Sequence, residues 1–177
     1  MSYEQAKSLI NKGPSRPTLF KVQLPEGGGA ADYLEFYCKT TAIPEVRFNT
    51  VAVAGQDHQG VVRDQPTAVI YGKPFTITVI ERTDFVVYKS LREWFDRVHQ
   101  GGDQGGQAHK MQYYKSYVKD LKLIKYEYGQ GGYERPITIN FVNAYPVAMG
   151  AIALGTDMTD QATTFNIDFM YEIYEVS

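Results

Sequence analysis

The sequence predicts a mainly β chain: a β-sandwich or barrel of about six to seven strands with one flanking α-helix over residues 84–99. Three observations predict it. Short runs in which apolar and polar residues alternate recur along nearly the whole length. The 177 residues include 14 Tyr and 9 Phe, types that pack well on a pleated surface. The period switches clearly to helical spacing in one long segment, late in the middle. Strands spaced this way, patterned on one side, favour a sandwich or barrel over a parallel βαβ sheet.

Taken in order, Tyr3, Ala6, Leu9 and Ile10 share one side at helical spacing before Gly13 and Pro14 stop the run. Residues 1–15 thus read as an arm or short helix at the start of a single domain spanning 1–177. Phe20, Val22 and Leu24 alternate with Lys21 and Gln23. After the glycine-rich turn Pro25–Ala31, Leu34, Phe36 and Cys38 oppose Tyr33, Glu35, Tyr37 and Lys39, so the two runs read as a hairpin. Val46–Val53 differs. Val46, Phe48 and Ala52 lie on one face, Arg47, Asn49, Val51 and Val53 on the other, and neither face is strongly apolar. With Gly55–Lys73 it reads as an extended hairpin that leaves the sandwich half buried.

Phe75, Ile77 and Val79 alternate cleanly with Thr76 and Thr78. Val87, Leu91, Trp94, Phe95 and Val98 then form one helical stripe, with Asp84 as the expected N-cap and Gly101-Gly102 as the stop. The stripe must cover an open side of the sandwich. Between Tyr117 and Tyr128 the apolar face shifts by one residue, which predicts a bulge or a two-sided strand. Ile137, Ile139 and Phe141 mark another strand. Asn143–Thr156, containing Pro146, reads as a compact loop. Phe165, Ile167, Phe169, Tyr171 and Ile173 form the last strand.

Composition narrows the function. With 18 basic and 20 acidic residues the net charge is −2, and no basic stripe of a duplex-DNA binder is present. No apolar run approaches the ~20 residues of a membrane span, and Met1–Asn11 has no signal-peptide core, so neither a membrane nor a secretory route is expected. The single Cys38 cannot staple its own chain; it reads as a small buried hydrophobe made in a reducing compartment.

No catalytic, cofactor or metal site is expected. His58, His99 and His109 are scattered, none at i, i+4 spacing with another ligand. No G-x-S-x-G elbow occurs. Gly101–Gly106 follows a helix and lacks the Lys-Ser/Thr of a phosphate loop. Asp157 and Asp160 do not match an EF-hand spacing, and Glu172 and Glu175 flank an outward strand face. Lys110, Lys115, Lys119, Lys122 and Lys125 interleave with Tyr113, Tyr114 and Tyr117, the pattern of a single-strand stacking platform. Asp120 interrupts it, and a solvated or subunit-contacting face fits equally well. What remains is strand physics. Thr50–Val53 and Tyr33–Tyr37 put apolar or aromatic side chains on faces a lone sandwich leaves wet, and exposed edges of that kind invite other chains.

Several segments resemble the tail tube proteins of contractile-tailed bacteriophages. They are Arg16-Pro17-Thr18-Leu19-Phe20-Lys21-Val22; Phe36-Tyr37-Cys38-Lys39-Thr40-Thr41-Ala42-Ile43-Pro44; Phe75-Thr76-Ile77-Thr78-Val79 ahead of a helix carrying Trp94; and Asn143-Ala144-Tyr145-Pro146 before a last aromatic strand. Their order and spacing hold from Arg16 to Tyr174, whereas Gly101–Gln107 and Gly129–Glu134 depart from the pattern.

The resemblance implies a structural subunit of hexameric rings stacked into a tube, located in the phage tail and synthesised in the host cytoplasm. The implied partners are other copies of itself, the tail sheath protein, baseplate or tube-initiator and terminator proteins, a tape measure protein in the lumen, and DNA in transient passage. The alternatives are a tube of a type VI secretion or extracellular contractile injection system, a baseplate tube initiator, or, from another class, a soluble ligand-binding β-barrel. Val46, Phe48, Val51, Val53, Asp57 and Val61 are then assigned to a hairpin that lines the lumen and meets a neighbour. Trp94 and Phe95 anchor the helix. Glu45, Asp57 and Asp64 against Arg47 and Arg63 predict a charge-balanced wall, with the lysines of 110–125 facing outward.

Overall fold

The computed structural model describes residues 15–23, 38–54, 62–100, 110–129, 132–155 and 161–177. The expected helix Tyr3–Lys12, the turn Pro25–Ala31, nearly all of the run Tyr33–Lys39, and Asp57, His58, Val61, His109, Asp157 and Asp160 lie outside these residues. The described elements are β1 (Phe20–Gln23), β2 (Cys38–Thr41), β3 (Val46–Val53), β4 (Arg63–Tyr71), β5 (Phe75–Ile80), α1 (Val86–Val98), β6 (His99–Gln100), β7 (Lys110–Met111), α2 (Tyr114–Tyr117), β8 (Lys119–Gly129), β9 (Gly132–Met149), β10 (Thr164–Met170) and β11 (Ile173–Val176).

Strand β9 makes the sandwich. Seven antiparallel strands follow the path β1-β8-β9-β10-β5-β2, with β11 also on β9. The first part of β9 pairs with β8 and β11, the last part with β10. The change of partner comes at Asn143, whose φ of 54° is left-handed, a conformation asparagine tolerates better than most side chains. Asp120 accepts the Asn143 N–H at 3.1 Å, and the Asn143 amide donates to Glu172 at 2.7 Å. Strands that switch sheets by such bends build the corners of sandwiches.

Two expectations fall at this corner. The loop expected over Asn143–Thr156 is strand as far as Met149, and the last strand, expected as one run, breaks between Met170 and Ile173. Asn and Pro look locally like a turn, yet the bend is brief and the chain re-enters the ladder. Pro146 sits opposite Phe169, beside a register shift at Asp168/Phe169, the kind of irregularity where a residue lacking an N–H is tolerated.

The strand expected over Tyr33–Lys39 lies mostly outside the described residues, and so does the hairpin expected between it and Thr18–Leu24. Phe20–Gln23 pairs with Lys122–Lys125, and Cys38–Thr41 pairs with Ile77–Val79. Alternation marks a strand without naming its partner. The expected shift in the apolar face of β8 is present, with irregular register at Lys119/Leu121 and Lys125/Glu127.

The core lies between the two halves. Val22, Leu121, Leu123, Ile139 and Phe141 face Phe75, Ile77, Val79, Phe165, Ile167 and Phe169, and Phe75 stacks on Phe141 at 4.3 Å between centroids. Helix α1 covers an open side with Val87, Leu91, Trp94 and Val98. Trp94 tilts against Phe169 at 5.8 Å, and its indole N–H donates to the Tyr117 carbonyl at 2.8 Å. Phe95, expected beside it in the core, is half-buried and lines a surface groove with Val98, Met111 and Tyr145.

Asp84 does not cap α1. The cap position is Phe85, which has no side-chain capping bond. The buried Glu81, 7% exposed, does the work. Its two oxygens accept the N–H groups of Arg82 at 3.0 Å and Tyr88 at 2.8 Å, placing negative charge where the helix dipole favours it.

Candidate assembly surface

Strands β3 and β4 form a sheet of their own, apart from the sandwich. Only Val53, Ile70 and Tyr71 in it are even half-buried. Val46 is 52% and Phe48 63% exposed, and Val51, Val62 and Val69 are similarly open. A two-stranded ribbon is marginal in water by itself, so its root matters.

The root is held by backbone recognition. The Gly72 N–H donates to the Glu45 carbonyl at 2.8 Å, and a Cβ at Gly72 would come within 2.9 Å of Glu45 Cγ and 3.2 Å of its nitrogen. The close approach favours glycine there, since any side chain would push Glu45 aside. The Tyr171 hydroxyl donates to the Gly72 carbonyl at 2.5 Å, and the Tyr174 hydroxyl to the Pro44 carbonyl at 3.0 Å. Tyr71 meets Tyr174 edge-on at 5.1 Å, and the Lys73 ammonium lies 5.5 Å above the Tyr171 ring. Burial pushes the Tyr171 phenol up to about 12, helped by Tyr174 and Tyr71, so it remains a donor at neutral pH.

The register sorts the faces. Val46 opposes Tyr71 and Phe48 opposes Val69, while Arg47 opposes Ile70 and Val53 opposes Arg63. Thr67 is the extra residue at the irregularity, its hydroxyl bonded to the Asn49 carbonyl. Val46, Phe48, Val69 and Tyr71 therefore make one apolar face at the root, continued by Thr50, Ala52 and Pro66. The opposite face mixes Val51, Val53 and Ile70 with Arg47, Asn49, Gln65 and Arg63. One strand alone shows two mixed faces; its partner makes one of them apolar. The expected charge balance also separates by face, since Asp64 opposes Ala52 while both arginines lie on the mixed face.

The remaining singled-out residues do not converge on chemistry. Cys38 is half-buried against the core, and burial pushes its thiol up to about 11, leaving it protonated and a poor nucleophile. Tyr114, Tyr117 and Tyr145 pack edge-on at 5.3–6.1 Å, occupying one another's rings rather than standing open to bases. Lys115 and Lys122 are exposed, and Lys125 bonds Glu127 at 2.7 Å. In the Asn143–Pro146 segment, Ala144 and Pro146 are buried in the sandwich. Among the described residues no three His, Cys, Asp or Glu side chains could jointly hold a metal ion, and no helix is long and apolar enough to cross a membrane. The root tyrosines, Gly72 and Glu81 were missed by sequence reasoning. Only Gly72, a glycine just before Lys73-Pro74 and between two strands, carried a local signal.

The profile of the phage tail tube protein family matches residues 15–177. No curated protein matches the chain by sequence. Among solved structures, the fold is similar to a chain of the PVC sheath–tube complex, an extracellular contractile injection system in its extended state. The TM-score is 0.57 at 14% identity, covering 100% of this chain and 98% of that one. It is also similar to a chain of the anti-feeding prophage baseplate (TM-score 0.62, 8% identity, 93% and 96% covered). A chain of the PVC sheath/tube terminator aligns with a TM-score of 0.58 at 13% identity, covering 93% and 97%.

Proposed function

The chain belongs to the phage tail tube protein family, and from that premise we propose that six copies close into a ring around a lumen and that rings stack into the inner tube of a contractile tail. The protein is then a structural part of the particle, and its partners are its own copies, the sheath, the baseplate or tube initiator and the terminator. A tape measure protein and, during ejection, DNA occupy the lumen. The observation that carries this is the β3–β4 hairpin. The chain holds its root firmly yet leaves Val46, Phe48 and Val69 without cover. A lone protein gains nothing from that, whereas a ring covers the apolar face with a neighbour and turns the mixed face to the lumen.

The wall then carries Arg47 and Arg63 from each copy. They lie at opposite ends of the β3–β4 ribbon, about 20 Å apart along it at ~3.3 Å per residue, so each ring presents two bands of positive charge whose hold on a polyanion falls steeply with salt. The exposed Lys115 and Lys122 belong to the outer surface or the ring-to-ring surface.

The test is assembly of the purified protein. Wild type polymerises into tubes visible by negative stain. Phe48→Asp, or a charge at Val69 on the same face, leaves a folded monomer by circular dichroism and no tubes. Normal tubes from these variants would remove the hairpin from the ring contact. The solved neighbours are parts of injection systems, so a tube in such a machine is the second reading; effector genes and an ATPase beside the coding sequence, in place of capsid genes, decide for it. A ligand-carrying barrel would stay monomeric at every concentration.

A further inference from the structure

The loop that follows β9, Gly150–Gly155, reads Gly-Ala-Ile-Ala-Leu-Gly and has no charged residue. It is anchored at its base. The Gly150 N–H donates to the Asn166 carbonyl at 2.7 Å, a Cβ there would meet the Asn166 backbone at 3.2 Å, and Ile152 packs on the core. Beyond that anchor Leu154 stands 81% exposed. A large aliphatic side chain held out in water carries an unfavourable hydration free energy that an apolar partner relieves.

A matching cavity exists elsewhere on the same chain. Pro17, Phe20, Ile43 and Leu123 line a pocket of about 300 Å³ together with Ser15, Thr41 and Lys125. The Lys125 ammonium is already engaged by Glu127 and the Tyr126 carbonyl, so the pocket offers an anion little and suits a neutral apolar occupant. The two features lie at opposite ends of β5. Thr164, at the end of the segment that begins with the loop, pairs with Ile80. Thr41 pairs with Ile77, and the chain runs from there toward the Phe75 end and Ile43.

We infer that Leu154 of one copy seats in the Phe20–Ile43–Leu123 pocket of a copy in the next ring. A contact joining opposite ends of one sheet is heterologous, so it repeats without closing on itself and extends a stack. The hairpin supplies the lateral contact and the loop the axial one. The inference rests on the tube reading above, and the two fail differently.

The experiment is directed cross-linking. In a Cys38→Ala background, Ile43→Cys and Leu154→Cys are combined, tubes are assembled, and copper–phenanthroline in air is added. Seated contacts bring the two Cα atoms within the ~4–7 Å that a disulfide spans, so non-reducing gels show a covalent ladder, and neither single-cysteine variant forms one. In parallel, Leu154→Asp leaves single rings that no longer stack. Tubes of the double-cysteine variant with no ladder, or normal tubes from Leu154→Asp, overturn the inference while leaving the tube reading intact. Wild-type protein that forms neither rings nor tubes overturns both. A small apolar ligand as the true occupant shows as loss of a fluorescent apolar probe in Ile43→Asp with stacking unchanged, and that also overturns it.

Discussion

Strands β5 and β3 carry the same kind of alternation and meet opposite fates. Phe75, Ile77 and Val79 of β5 are at most 1% exposed, whereas Val46, Phe48 and Val51 of β3 stand about half open. The difference lies in what the rest of the chain provides. β5 has β10 and β2 on its two sides and the Phe141 layer across the core. β3 has β4 alone. An apolar face written into a sequence states a demand for cover; whether the same copy or another meets it is decided by topology.

That contrast breaks most sharply at Trp94. Trp94→Ala opens a cavity beneath α1 and strips the Tyr117 carbonyl of its indole donor. It is expected to cost roughly 3–5 kcal/mol in urea unfolding of the monomer, while Phe48→Ala costs the monomer almost nothing. Equal losses would mean the hairpin is part of the folded core. A smaller effect sharpens the comparison at the helix start. Glu81→Ala removes the acceptor for the Tyr88 amide and is expected to cost about 1–2 kcal/mol, as for other lost N-caps, with assembly preserved because the hairpin is untouched. Unchanged stability would show that α1 needs no cap.

The smallest effect is one of pH. The bond from Lys125, then that from the Ser15 hydroxyl, holds the Glu127 carboxyl below its ordinary value of 4.5. A carboxylate depressed in the folded state contributes fully above its unfolded pKa and loses that contribution as pH falls through the folded value. Acidification from pH 5 should therefore lower the protection factor of the Arg16 amide, which Glu127 accepts at 3.1 Å, before it lowers those in β5. Simultaneous release would place this strap inside the cooperative core.

Where side chains repeat regularly, the fold was legible. The runs at Phe75–Val79 and Phe165–Phe169 became strands, Val87 to Val98 became the helical stripe, and Val46–Val53 is a strand with the expected limits. Pairing was less legible, because Phe20–Gln23 fits any strand that presents an apolar face, and Leu121 and Leu123 lie far off in sequence. Asn143 and Pro146 misled because their local chemistry is that of a turn; the compensating partners, Asp120 and Glu172, are 23 and 29 residues away. The candidate surface was half visible. One strand displays mixed faces, and only the register with β4 brings Phe48 beside Val69.

The root of the hairpin has a consequence for how such a protein diverges. Tyr171 and Tyr174 grip the carbonyl oxygens of Gly72 and Pro44, groups that every residue type possesses, and the side-chain preferences there are few: a small residue at position 72 and a ring at Tyr71 against Tyr174. The mount is therefore blind to what the ribbon says. Mutations along the ribbon can change its two faces while the bracket that carries it stays the same, so selection on the ribbon's surface and selection on folding act on separate stretches of one gene. A ribbon grafted from a distant relative should seat on this root as readily as the native one.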